Sequence, residues 1–104
     1  MIQNDPGLAA IRQSLESAGE ALRAFRRDLH MHPETGYEEH RTAARTAANL
    51  RALGIPVHEG IGRTGVVGVI EGQRTASGRS IGLRADMDAL PIQELGQVPW
   101  RSCT

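Results

Sequence analysis

At 104 residues the chain has room for one ordinary domain and not for two. Twelve Lys and Arg balance twelve Asp and Glu, which removes the electrostatic case for nucleic acid or an anionic membrane as a partner. Hydrophobic residues make up 39%, but only Phe25, Tyr37 and Trp100 are aromatic, so a core must lean on Leu, Ile, Val and Ala and is expected to be thin.

The first residues, Met1-Ile-Gln-Asn-Asp-Pro, lack the basic-then-apolar layout of a signal peptide. Asp5 followed by Pro6 is a helix start: a side chain that accepts from the first free N–H groups, then a residue whose fixed φ suits the first helical position. Leu8, Ile11, Leu15, Ala18, Leu22, Phe25 and Leu29 alternate at spacings of three and four, which places them on one helical stripe. The helix is predicted to reach about His30 and to stop before Pro33, because the residue preceding a proline disfavours the α region.

After the loop 31–36, a second helix is predicted from about Tyr37 to Leu53. Glu38 and Glu39 fall in its first turn, where negative charge suits the dipole, and Gly54 follows as the natural C′ residue. Ala43, Ala47, Leu50 and Leu53 supply its apolar face. The period then becomes strand-like. Residues 55–59 form a short strand candidate, and Gly65-Val66-Val67-Gly68-Val69-Ile70 is a β-branched run. The polar stretch 72–80 reads as a hairpin turn, and Ile81, Leu83 and Ala85 alternate with Gly82 and Arg84 into a third strand ending at Asp86. The order is two helices followed by three strands, an α/β class with helices packed on a sheet. Beyond Asp88 no period is visible, and Pro91, Gly96 and Pro99 punctuate a loop. The sheet lacks a closing element, and a truncation is expected.

Three clusters invite a chemical reading. Gly60-Ile61-Gly62-Arg63-Thr64-Gly65 matches G-x-G-x-x-G, but a dinucleotide site needs a helix after it to receive the pyrophosphate, and a strand run follows instead. A glycine-rich turn between strands is the better reading, and no cofactor-binding residue is assigned. His30-Met31-His32-Pro33-Glu34, with Glu38, Glu39 and His40 behind it, is dense in metal-ligand types. Residues two apart do not share a helical face, so the histidines are expected to cap or hydrogen bond at the helix end. Asp86-Met87-Asp88 closes the predicted third strand, the end at which α/β sheets gather ligands. Two carboxylates so close repel unless a cation or donor lies between them. Asp88 and Asp86 are therefore the candidate catalytic residues, against the plainer alternative of turn capping ahead of Pro91.

Cys103 has no His or carboxylate nearby at catalytic or ligand spacing, and a lone cysteine suits a reducing compartment. No apolar run approaches the roughly 18 residues of a membrane span. A cytoplasmic protein is expected.

Four blocks together resemble the M20 family of metallopeptidases and amidohydrolases, in the subgroup of hippurate hydrolase and the auxin-amino-acid conjugate hydrolases. They are Arg27 to Glu39 with Thr42-Ala43; Leu53-Gly54-Ile55; Gly60 to Val66; and Leu83-Arg84-Ala85-Asp86-Met87-Asp88-Ala89-Leu90-Pro91-Ile92-Gln93-Glu94. The resemblance implies that residues 1–104 are the N-terminal part of an α/β catalytic domain, with no second domain in this chain. It implies hydrolysis of N-acyl amino acids or dipeptide-like amides, two divalent ions (Zn or Mn) in the full-length enzyme, and a homo-oligomer. The family's His-Ala-Cys-Gly-His-Asp ligand block is expected beyond Thr104, and Cys103 does not match it. No metal ligand is therefore assigned, and these 104 residues alone are expected to bind no ion tightly and to be inactive. Where other members write His-x-Asp, this chain has Asp86-Met87-Asp88. Asp86 thus departs from the metal-binding His, while Asp88 stands at the supporting Asp that tunes ligand basicity. Two alternatives remain at this point: a non-catalytic segment acting by association, and a haloacid-dehalogenase-type phosphatase. The latter also carries Asp-x-Asp after a strand, but Ala89-Leu90-Pro91 departs from its pattern.

Overall fold

A computed structural model describes residues 5–104. In chain order these form helices α1 (Pro6–Met31) and α2 (His40–Ala52), then strands β1 (Val57–Ile61) and β2 (Gly65–Gly68), an α/β composition. Two compact units result, one built on α1 with residues 96–104 and the other on Pro33–Leu95.

In the first unit Asp5 caps α1 by accepting from the Gly7 N–H at 2.7 Å, with Pro6 at the helix start. At the other end the His32 N–H donates to the Leu29 carbonyl, and its ring Nδ1 lies 2.9 Å from the Asp28 carbonyl. The helix therefore ends one residue later than predicted, still ahead of Pro33. The last turns of α1 meet the C-terminal residues. Arg27 stacks over the Trp100 ring at 3.6 Å, and the Cys103 N–H donates to the Met31 carbonyl at 2.8 Å. No residue of α1 is buried; Ile11, Leu15 and Leu22 on the predicted stripe remain more than half exposed.

In the second unit α2 starts at His40 rather than Tyr37, because Tyr37 adopts φ 66°, outside the right-handed helical region. Glu38 and Glu39 consequently precede the first turn instead of lying in it. The C-terminal prediction holds: Gly54, at φ 76°, donates its N–H to the Arg51 carbonyl. Thr42, Ala43 and Ala47 are buried, Ala47 completely. Leu53 is not part of that face. It lies past the last helical residue and is 73% exposed.

The cover over α2 is the hairpin. β1 and β2 pair antiparallel in the register Val57↔Gly68, His58↔Val67 and Ile61↔Gly65, with an irregularity between His58 and Ile61. β1 begins two residues later than predicted. β2 is shorter than predicted, although the Val69 N–H still reaches the Pro56 carbonyl at 3.1 Å. Gly60, Gly62 and Arg63 all carry positive φ, so G-x-G-x-x-G builds the turn and its flanks, as the glycine-rich turn reading holds. Close approach is what the small residues allow. A side-chain carbon added at Gly65 would lie 2.3 Å from the Ile61 carbonyl oxygen, and one at Gly68 would lie 3.1 Å from Ile55.

The predicted third strand is not formed. Residues 81–86 join no ladder, and Ile81 and Leu83 are 91% and 97% exposed. Alternation specifies which side chains would share a face, but a strand exists only when its N–H and C=O groups find a neighbour. The turn ahead of it does form, with the Gly78 N–H donating to the Thr75 carbonyl. Among the described residues no helix is long and apolar enough to cross a membrane.

Candidate functional site

The site is organised by the loop between the two helices, residues 33–39. A helix begins with N–H groups that have no partner inside it, and Glu39 at the N-cap of α2 makes no side-chain cap bond. Glu34 supplies it from a distance. Its two carboxylate oxygens accept from the Arg41 N–H at 3.0 Å and the Thr42 N–H at 2.6 Å. Partial burial pushes the Glu34 carboxyl up. The hydrogen bonds from the Thr42 side chain and from the Arg41 and Thr42 N–H groups, with the nearby His40, outweigh it and hold the group below its ordinary value.

Glu39 turns the other way. It is buried, and the Thr64 hydroxyl, buried as well, donates to its Oε2 at 2.5 Å. That bond fastens the loop to the hairpin turn. Beside it Arg63 lies 5.2 Å over the Tyr37 ring, and these two are the described non-glycine residues with positive φ. The exposed His40–Glu38 pair, at 3.5 Å, contributes little in comparison.

Asp88 comes against this loop. A carbon added at Gly36 would lie 3.8 Å from Asp88 Oδ2 and 3.9 Å from Glu39 Oε1, so two carboxylates stand within contact range of this glycine. Next along the chain, the Ala89 N–H donates to the Glu34 carbonyl at 2.7 Å. Asp86 goes elsewhere: its Oδ1 pairs with Arg84 at 2.7 Å, both side chains exposed. The two predicted acids therefore do not occupy one strand end, since no strand ends there, and each has its own neighbours.

Of the remaining candidates, His32 serves as a helix-end hydrogen-bonding group in the first unit, and Cys103 is a free, exposed cysteine. Among the described residues no three His, Cys, Asp or Glu side chains gather in a way that could hold a metal ion. The two divalent ions implied by the resemblance do not fit the residues present. The sequence shows Glu34 only within the histidine cluster and Thr64 only within the glycine turn; their roles here escape it, because their partners lie eight and 25 positions away, beyond any local period. Pro33-Glu34 inside a recognisable block was the one available signal.

With this arrangement in view, comparison with known proteins is informative. Hippurate hydrolase of Campylobacter jejuni is 45% identical over 92 residues, 88% of this chain and 23% of that protein. Thermostable carboxypeptidase 2 of Saccharolobus solfataricus is 47% identical over 79 residues, 75% of this chain and 20% of that protein. An IAA-amino acid hydrolase of Arabidopsis thaliana is 41% identical over 76 residues, 73% of this chain and 16% of that protein. The chain belongs to the M20 family of amidohydrolases and peptidases. It spans about a fifth of the length of the curated relatives it matches. No family model matches it and no solved structure matches it.

Proposed function

We propose that this chain is the N-terminal part of the catalytic domain of an amidohydrolase that cleaves the amide of N-acyl amino acids or related peptide-like substrates. The observation that carries the reading is the 45% identity to hippurate hydrolase over 92 residues, which runs across the helix-to-helix loop and the Asp86-Met87-Asp88 segment alike. In the whole enzyme residues 81–86 become the third strand, pairing their free backbone groups and covering Ile81 and Leu83. Asp88 then takes the supporting position beside the reacting centre, and Asp86 stands where the family resemblance puts the metal-binding His of other M20 members.

Metal dependence, with two zinc or manganese ions, is part of the proposal. The reading puts the donor residues in polypeptide outside these 104 residues; among the described residues no three His, Cys, Asp or Glu side chains gather in a way that could hold a metal ion. What this segment contributes is the frame: a helix-anchored loop that seats Asp88 against Gly36. A homo-oligomer in the cytoplasm completes the reading, the lone exposed Cys103 being suited to a reducing setting.

The test compares the 104-residue chain with a longer polypeptide that carries the same sequence. Both are assayed on N-benzoylglycine and other N-acyl amino acids with zinc or manganese added. Turnover is expected from the longer protein, lost on chelation, and none from the short chain. A longer protein that hydrolyses no N-acyl amino acid overturns the function, and enzyme-like turnover by the short chain overturns the division of labour.

A further inference from the structure

We propose that Glu34 is the positioning residue for Asp88, acting through the amide of Ala89. The inference builds on the reading of Asp88 as a residue of the reacting centre, and it adds what holds that residue in place. Glu34 does two things at once. Its carboxylate bonds the Arg41 and Thr42 N–H groups at 3.0 and 2.6 Å, fixing the loop to the N-terminus of α2. Its own carbonyl accepts from the Ala89 N–H at 2.7 Å. Asp88, the residue before Ala89, comes against Gly36, its Oδ2 lying 3.8 Å from where a Cβ on that glycine would stand, an ordinary contact distance.

The segment needs such an anchor. Among the described residues from 81 to 90, the Ala89–Glu34 bond is the backbone hydrogen bond that reaches a part of the unit tied to a regular element. Asp86 and Arg84 nearby are exposed. A carbonyl is a fixed acceptor only if its residue is held, and here the holding is done by a charged carboxylate on a helix end, an arrangement stronger than a neutral bond. Thus a side chain whose hydrogen bonds run to the start of α2 sets where Asp88 can be.

Amide hydrogen exchange followed by NMR on the 104-residue chain tests this. In Glu34→Ala the Ala89 amide is expected to exchange about tenfold faster while the Ala47 amide, deep in α2, keeps its rate. Glu34→Gln, which retains one acceptor oxygen and folds more readily if the alanine variant does not, is expected to restore part of the protection. An unchanged Ala89 rate in both variants overturns the proposal. So does equal acceleration at Ala89 and Ala47, which marks a general loosening instead of a lost hold. The underlying reading fails separately: if Asp88→Asn leaves turnover of the longer enzyme intact, Asp88 is no working residue, whatever the exchange rates show about Glu34 and Ala89.

Discussion

The two helices invert what their compositions suggest. α1 is 26 residues long and carries the cleaner apolar stripe, yet it buries none of its residues. α2 is half that length, dominated by Ala, Arg and Thr, and it holds the buried Thr42, Ala43 and Ala47. The difference lies in what each helix faces. Against α2 stands a hairpin whose glycines permit close approach, so even methyl groups lose their contact with water. A stripe of leucines gains nothing until something covers it, since hydrophobic stabilisation scales with area removed from water and not with the side chain's size. Pattern states which face is available; the partner decides whether it is used.

The sharpest way to break this contrast is to remove the cover. In Gly65→Ala the new methyl would stand 2.3 Å from the Ile61 carbonyl oxygen, a backbone atom that moves only if the hairpin opens. The expected cost is about 3 kcal/mol, read as a lowered urea midpoint, with the exchange protection of α2 lost and that of α1 kept. Protection of α2 that survives the substitution would mean the hairpin is not what buries it.

A paired substitution sharpens the contrast at smaller amplitude. Ala47→Leu pushes three extra carbons into a site with no exposure, and overpacking of this kind costs about 1–3 kcal/mol. Leu15→Ala deletes the same atoms from a position 57% exposed, for which a change within about 0.5–1 kcal/mol is expected. Equal losses in the two variants would show that α1 is covered after all in solution.

What could be seen in the sequence follows the same division. The Asp5-Pro6 start, the stop before Pro33, the Gly54 cap and the glycine turn at 60–65 are all local devices, and each is realised within a residue or two. The start of α2 was misplaced because nothing in the letters announces that Tyr37 takes a positive φ. The third strand is not formed in these 104 residues because alternation is local but pairing is not. For the site, Asp88 was legible as a chemically loaded residue, while its seat at Gly36 and the Ala89–Glu34 bond join positions dozens apart, and the Glu34 cap of α2 spans seven and eight. Asp86 carried the same motif signal and parted from its neighbour to pair with Arg84.

The smallest expected effect concerns the charge on Glu34, and it tells whether α2 owes its start to that remote carboxylate. The folded-state pKa of Glu34 is lowered, the hydrogen bonds from Thr42 and Arg41 and the proximity of His40 outweighing the upward push of burial. A carboxyl that holds its proton less tightly when folded than when unfolded stabilises the fold above the unfolded pKa, and this contribution fades as pH falls through the folded value. Urea midpoints of the wild type and Glu34→Gln, measured from neutral pH downward, should therefore differ by a constant gap near neutrality. That gap narrows below the ordinary glutamate range and closes once Glu34 is protonated. Because the side chain is only part-buried, water screens the interaction and the gap stays below that of the packing variants. The α1 amides should not register the change, since the carboxylate bonds α2 alone. A gap that persists undiminished into acid would mean that the shape of the side chain, not its charge, starts the helix.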